Sequence, residues 1–200
     1  MCSSPEPADA RIAPAALLER VRTRLDGGVL LIDGRSGSGK TTLAAWLAPR
    51  LGARVLHLED LYCGWDGLDE AADVLARRVL PAFARGRVAT WPRWDWAADR
   101  VDGSGSLRPG GRLIVEGCGA LTAASRPLAG FALLLDVDPA VRAERILRRD
   151  PPSALPGHRR WARQERRQLA REPMPALADL VLRGGVRLPT RSEGSASGLR

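Results

Sequence analysis

Gly34-Arg35-Ser36-Gly37-Ser38-Gly39-Lys40-Thr41 decides how the rest of this chain is read. The stretch fits G-x-x-x-x-G-K-[ST] at every fixed position, directly after the apolar run Val29–Ile32 and directly before a segment repeating Leu43, Leu47 and Leu51. A strand, a glycine turn and a helix in that order let successive backbone N–H groups curl inward, in front of the positive end of the helix. The natural occupant is a polyphosphate. Lys40 is placed to reach its β- and γ-phosphates and the Thr41 hydroxyl to ligate Mg²⁺, with Gly34, Ser36, Gly37, Ser38, Gly39 and Thr42 completing the cradle. Lys40 is also the only lysine among 31 basic residues, the others being arginine, whose planar guanidinium is bulkier and aimed differently.

Outward from this loop, apolar runs at Val55–Leu58, Leu113–Val115, Phe131–Val137 and Leu180–Leu182 read as further strands. Helical spacing appears over Pro14–Leu25, Lys40–Leu51, Asp69–Leu80 (ended or kinked by Pro81), Ala140–Arg149 and Trp161–Arg171. Strands alternating with helices predict a parallel five-stranded sheet wrapped on both faces, a three-layer α/β/α fold. Residues 86–111 mix tryptophan, proline, glycine and charge without a clear period, and read as a long functional loop or partial helix. Asp150-Pro-Pro through Pro156-Gly157 reads as a mobile turn. The expected organisation is an arm over 1–13, one domain over 14–188 with a lid near 148–160, and a tail over 189–200, both ends disordered.

Two hundred residues, 44% hydrophobic and 27% charged, suit one globular core. Cys2, Cys63 and Cys118 form an odd set without CxxC spacing, which supports neither a disulfide framework nor a zinc site. The N-terminal stretch carries acids and prolines where a signal peptide needs a basic start and an apolar run, and no window is apolar for long enough to span a membrane. A cytosolic protein is expected. The formal charge of +8 suggests nucleic acid at first, but the arginines are spread among acids, except between Arg142 and Arg171, so a nucleic-acid partner is not expected.

Phosphoryl transfer needs an acid beside the acceptor hydroxyl, an acid near Mg²⁺ and cations over the transferring group. Asp60 follows the second strand, where the carboxyl ends of parallel strands form the ligand crevice, with Glu59 competing for the same role. Glu116 ends the strand Leu113–Val115 and suits the metal; Asp33 also ends a strand, ahead of the loop. Arg142, Arg145 and Arg149 share one helical face beside the proline-rich turn. Six tryptophans stand against two phenylalanines and one tyrosine, and Trp65, Trp91, Trp94 and Trp96 fall between the second and third strands, where flat indoles stack a base or sugar face.

These motifs resemble the uridine kinase-like branch of the P-loop kinases: Gly37-Ser-Gly-Lys-Thr41, Asp60-Leu-Tyr62, Glu116-Gly117, the run Arg142, Arg145, Arg149, Asp150, and Trp94-Asp95-Trp96. The resemblance implies a kinase-type strand order with a lid, ATP as co-substrate with Mg²⁺, and a nucleoside-like hydroxyl acceptor. It also implies Asp60 as base, phosphate-binding roles for Arg142, Arg145 and Arg149, and an acceptor pocket of Tyr62 with Trp94, Asp95 and Trp96; from the residues themselves, Trp65 adds a flat indole and Arg93 a polar contact to the same pocket. The chain departs from that pattern in the Gly64-Trp-Asp-Gly67 insertion and in having only His57 and His158, neither in the acceptor region. Two other readings stay open. One is a nucleoside monophosphate or other metabolite kinase, whose acceptor phosphate recruits arginines such as Arg93. The other is an ATP-binding regulatory or nucleic-acid-associated module using Arg159–Arg171.

Overall fold

The computed structural model describes residues 12–25 and 28–189. In chain order these form α1 (Pro14–Arg24), β1 (Val29–Gly34), α2 (Lys40–Leu51), β2 (Ala53–His57), α3 (Leu68–Val74), α4 (Leu80–Ala84), β3 (Ala89–Asp95) and β4 (Arg100–Leu107). There follow β5 (Arg112–Glu116), β6 (Phe131–Asp136), α5 (Pro139–Arg149), α6 (Leu155–Arg171), α7 (Met174–Leu177) and β7 (Leu180–Arg183). Apart from Ile12, Ala13 and Pro189, the arm and tail expected at 1–13 and 189–200 lie outside the described residues.

β1 is buried at all six positions, as a continuous apolar run demands of a strand covered on both faces. The sheet runs β2-β5-β1-β6-β7 with every pair parallel, which is the five-stranded arrangement expected from the sequence. Successive residues of each strand face opposite layers. Leu30 and Ile32 join Leu133 and Leu135 against Leu17 and Val21 of α1 and Leu43 and Leu47 of α2. Val29 and Leu31 face the other way, into a core shared with Val115, Leu68, Leu75, Trp161 and Met174. The crossover from β1 through α2 to β2 leaves room for β5 between them, and the carboxyl ends of β1, β5 and β2 converge there. Ligands of open parallel sheets bind in this kind of crevice.

Three segments differ from the sequence expectation. Residues 86–111 contain an antiparallel hairpin, β3 with β4, with an irregularity between Pro92 and Trp94. Its inward positions Ala89, Trp91 and Leu107 are buried, but arginine, aspartate and glycine on the exposed face, and a proline in the strand, obscure the period of two. Pro81 neither ends nor breaks its helix, because the chain runs helically from Leu68 to Ala84 through a π-turn at Leu75–Val79. A widened turn just ahead of Pro81 accommodates both the missing N–H and the ring that would crowd the preceding turn. The Asp150–Gly157 stretch holds a single 3₁₀ turn, Pro152–Ala154, and already belongs to α6 from Leu155. Gly157 is buried there because its bare Cα packs on the Trp65 indole, where any Cβ would collide.

Candidate active site

The phosphate loop bridges β1 and α2 with Gly37 at φ +80° and Gly39 at φ +96°. Both angles lie in the region that favours glycine. A Cβ on Gly37 would sit 2.6 Å from the Arg142 carbonyl oxygen, so the loop is also too close to α5 for a side chain. The Lys40 ammonium donates to the carbonyls of Gly34 at 2.7 Å and Arg35 at 3.2 Å and lies 3.4 Å from the Cys118 sulfur. Burial works against its charge, but Cys118, Asp33 and Glu116 outweigh that and hold its pKa above the usual lysine value. The same enclosure pushes the Cys118 thiol up to about 12, so it stays protonated and is a poor nucleophile.

Thr41 Oγ1 donates to Glu116 Oε1 at 3.0 Å, joining the first residue pair of α2 to the end of β5. His57 Nδ1 lies 2.6 Å from the same oxygen, a contact between residues 59 positions apart that no local motif signals. Two hard oxygen donors beside a phosphate cradle fit Mg²⁺, which takes few protein ligands and completes its octahedron with phosphate oxygens and water. No cluster of three or more His, Cys, Asp or Glu suited to a metal occurs among the described residues.

A cleft of about 870 Å³ opens above these residues. Ser36, Gly37, Gly39, Lys40, Thr41 and Thr42 line its donor side, and Glu59, Tyr62, Trp65, Trp96, His158 and Trp161 line the other. Trp65 meets the Trp96 ring edge-on at 5.5 Å and His158 at 5.0 Å, and Tyr62 lies 4.5 Å from Trp161. The Tyr62 hydroxyl donates to the Cys118 carbonyl at 2.8 Å. Burial, with Cys118, Asp33 and Glu116 nearby, raises its pKa well above the ordinary phenol value, so Tyr62 stays neutral.

Several expected site residues stand elsewhere. Glu59 lines the cleft and Asp60 does not; Asp60 is exposed, and its main-chain carbonyl accepts from the Trp91 indole at 3.0 Å. The short 3₁₀ turn over Leu58–Leu61 sends successive side chains in different directions, so only one of these two exposed neighbours faces the cleft. Arg142 is buried: its guanidinium donates to the carbonyls of Val137 at 3.1 Å and Ser36 at 3.2 Å and braces the loop from outside the cleft. Arg145 lines the cleft and donates to the Gly37 carbonyl at 3.1 Å. Arg149, also at the cleft, makes a two-pronged pair with Asp150, at 2.9 and 2.8 Å, which raises its own pKa and lowers that of Asp150.

Gly34 and Ser38 sit beneath the loop, outside the cleft lining. Arg93 and Asp95 also lie off the cleft. Asp95 caps the hairpin turn, accepting from the Ala97 and Ala98 N–H groups, and the Ala98 bond first, then that of Ala97, lowers its pKa. Trp94 packs on Gly64, within the Gly64-Trp-Asp-Gly67 insertion. His158, set apart from the acceptor region in the sequence reading, lines the cleft with its Nε2 2.8 Å from Asp150 Oδ2.

The sequence reading missed α6 as a site element. Gln164, Glu165 and Gln168 are buried along one of its faces with Trp161. Their spacing is helical, but a polar stripe among arginines looks like a solvated face; the signal was Glu165 standing as the only acid between Leu155 and Arg171.

The strand order, the two covered faces and the glycine loop at the head of α2 together give this chain the α/β fold of P-loop kinase structures. No known protein-family model matches the chain, and no curated protein matches it in sequence. Among solved structures, a Bacillus stearothermophilus protein described as a "Possible Uridine Kinase" is similar at 22% identity and a TM-score of 0.61, over 82% of this chain and 94% of that one. A Silicibacter sp. TM1040 protein described as a "putative fructose transport system kinase" is similar at 24% identity and a TM-score of 0.57, over 85% of this chain and 98% of that one. At these identities the likeness is one of fold. None of the helices among the described residues is long and apolar enough to cross a membrane.

Proposed function

We propose that this chain is an ATP-dependent, Mg²⁺-assisted kinase that transfers the γ-phosphoryl group to a hydroxyl of a neutral, nucleoside-like small molecule. The observation that carries this reading is one cleft with the phosphate loop and the Thr41–Glu116 pair on one wall and a carboxylate, Glu59, among aromatic rings on the other. Two structures of like fold are described as a "Possible Uridine Kinase" and a "putative fructose transport system kinase", and uridine and fructose are both neutral molecules rich in hydroxyl groups.

In this reading the loop N–H groups and Lys40 hold the β- and γ-phosphates. Thr41 and Glu116 would hold Mg²⁺, which would supply charge neutralisation when bound. Glu59, not Asp60, accepts the proton of the acceptor hydroxyl as its oxygen bonds to the γ-phosphorus and the bond to the departing ADP oxygen breaks. Arg145 and Arg149 stand where charge spreads in the transition state. Tyr62, Trp65, Trp96 and Trp161 hold the acceptor's flat face and keep water out.

A phosphorylated acceptor fits this wall less well. Arg149 is already committed to Asp150, Arg145 faces loop carbonyls, and Arg93 stands off the cleft. A nucleic-acid role for α6 is also disfavoured, since Arg160 pairs with Asp66 and Arg171 with Asp69 at 2.5 Å. Purified protein with Mg·ATP should release ADP only when a panel member is added, and nucleosides should outperform their monophosphates. ATP binding without acceptor-dependent ADP from nucleosides, sugars or monophosphates would remove the kinase reading, and steeply salt-dependent binding to RNA or DNA would replace it.

A further inference from the structure

We propose that Glu165 is a positioning residue for Lys40, acting through the Arg35–Ser36 peptide; the inference rests on the loop binding a nucleoside triphosphate. Glu165 is 4% exposed, on the inner face of α6, and Oε1 accepts the Ser36 N–H at 2.6 Å while Oε2 takes the Arg35 guanidinium at 2.9 Å. In a trans peptide the N–H and the carbonyl point in opposite directions. Pulling the Ser36 N–H outward therefore turns the Arg35 carbonyl inward, where it accepts from Lys40 Nζ at 3.2 Å and from the Ser38 N–H at 3.0 Å. The next peptide is fixed from the other side, because Arg142 holds the Ser36 carbonyl at 3.2 Å.

The Cys118 sulfur closes the same cluster, 3.4 Å from each of Glu165 Oε1, the Gly34 carbonyl oxygen and Lys40 Nζ. Glycines make this loop pliable, so its shape before phosphate arrives depends on what grips it from outside, and a preorganised loop spends less binding free energy on ordering. Glu165 is the anionic part of that grip, opposite the Arg142 guanidinium. Gln164, its neighbour on α6, accepts from the Leu68 N–H at 3.3 Å and donates to the Trp65 carbonyl, so loss of Glu165 alone leaves the acceptor wall in place.

Calorimetry with Mg·ATP and steady-state kinetics on the full chain test this in wild type, Glu165→Gln, Glu165→Ala and Arg35→Ala. Glutamine keeps an oxygen for the Ser36 N–H but loses the charge on Arg35, so Kd for Mg·ATP should rise roughly tenfold in Glu165→Gln and more in Glu165→Ala. Arg35→Ala should resemble Glu165→Gln. The acceptor KM should stay within about twofold in every variant, a split that a general loss of folding would not produce. Folded Glu165→Gln and Arg35→Ala proteins that bind Mg·ATP as wild type does would overturn the proposal, as would equal losses toward both substrates. Wild type failing to bind Mg·ATP would instead overturn the kinase reading itself. If Glu165→Ala does not fold, the other two variants decide.

Discussion

On the donor side of the cleft, the lining comes from Ser36 to Thr42, seven neighbouring positions of which six face the opening. On the acceptor side, Glu59 and Tyr62 follow β2, Trp65 lies in a short insertion, Trp96 rides on the hairpin, and His158 and Trp161 arrive on α6 about a hundred residues later. The donor wall is made by backbone conformation: two glycines at positive φ and the start of a helix. The acceptor wall is made by side-chain packing between distant segments, such as Gly157 against Trp65 and Gln164 against the Leu68 N–H. A wall of the first kind is set by its own backbone and by the few groups that grip it from behind, Glu165 and Arg142, whereas a wall of the second kind can be altered one ring at a time. That suits a scaffold that keeps its phosphoryl donor while its acceptor varies.

The sharpest way to break this comparison is at Glu59, the proposed base, which lines the cleft opposite the phosphate loop. Glu59→Gln should lower acceptor-dependent kcat by about 10² to 10⁴ with Mg·ATP affinity unchanged, and Asp60→Asn should stay within about threefold of wild type, measured as ADP release and by calorimetry. The reverse ranking would return the base role to Asp60. A smaller effect isolates the packed wall: Trp65→Ala should raise the acceptor KM roughly tenfold and leave the Mg·ATP KM in place. An equal rise in both constants would mean that the walls are not separable.

The same contrast explains what could be read from the residues alone. The glycine loop and the parallel sheet follow from short-range patterns, because a strand, turn and helix fix their own geometry within a dozen residues, whereas the contact of Thr41 with Glu116 joins positions 75 apart. Glu59 and Asp60 could not be separated, since one step along a 3₁₀ turn redirects a side chain by about a third of a circle. Arg142 carries the spacing of a phosphate ligand yet is buried against Ser36 and Val137, a consequence of how closely α5 approaches Gly37. The hairpin stayed hidden because only Ala89, Trp91 and Leu107 needed burial. Glu165 stayed hidden because its partners, Arg35 and Ser36, lie about 130 positions away.

Asp33 anchors the donor side from behind, and its titration gives the smallest of these effects. Its buried carboxylate accepts from the Leu121 N–H at 2.7 Å, the Gly119 N–H at 3.3 Å and the Gly34 N–H at 2.5 Å, tying the end of β1 to the loop that follows Glu116. Burial raises its pKa from 3.8 to about 6, although Leu121, Lys40, Gly34 and Gly119 all pull the other way. A raised acid pKa means that the folded chain holds a proton more tightly than the unfolded one, so this group stabilises the fold as pH falls from 7 toward 4 and that contribution fades as pH rises through 6. Between pH 7 and pH 5 the gain is about 1 kcal/mol, which is about 2–4 °C in thermal midpoint for a chain of this size. Asp33→Asn cannot titrate, so the midpoint difference between wild type and Asp33→Asn should move in favour of wild type by that amount on acidification. A difference independent of pH would mean that the Asp33 carboxylate stays charged throughout, with Lys40 and the three N–H groups outweighing its burial.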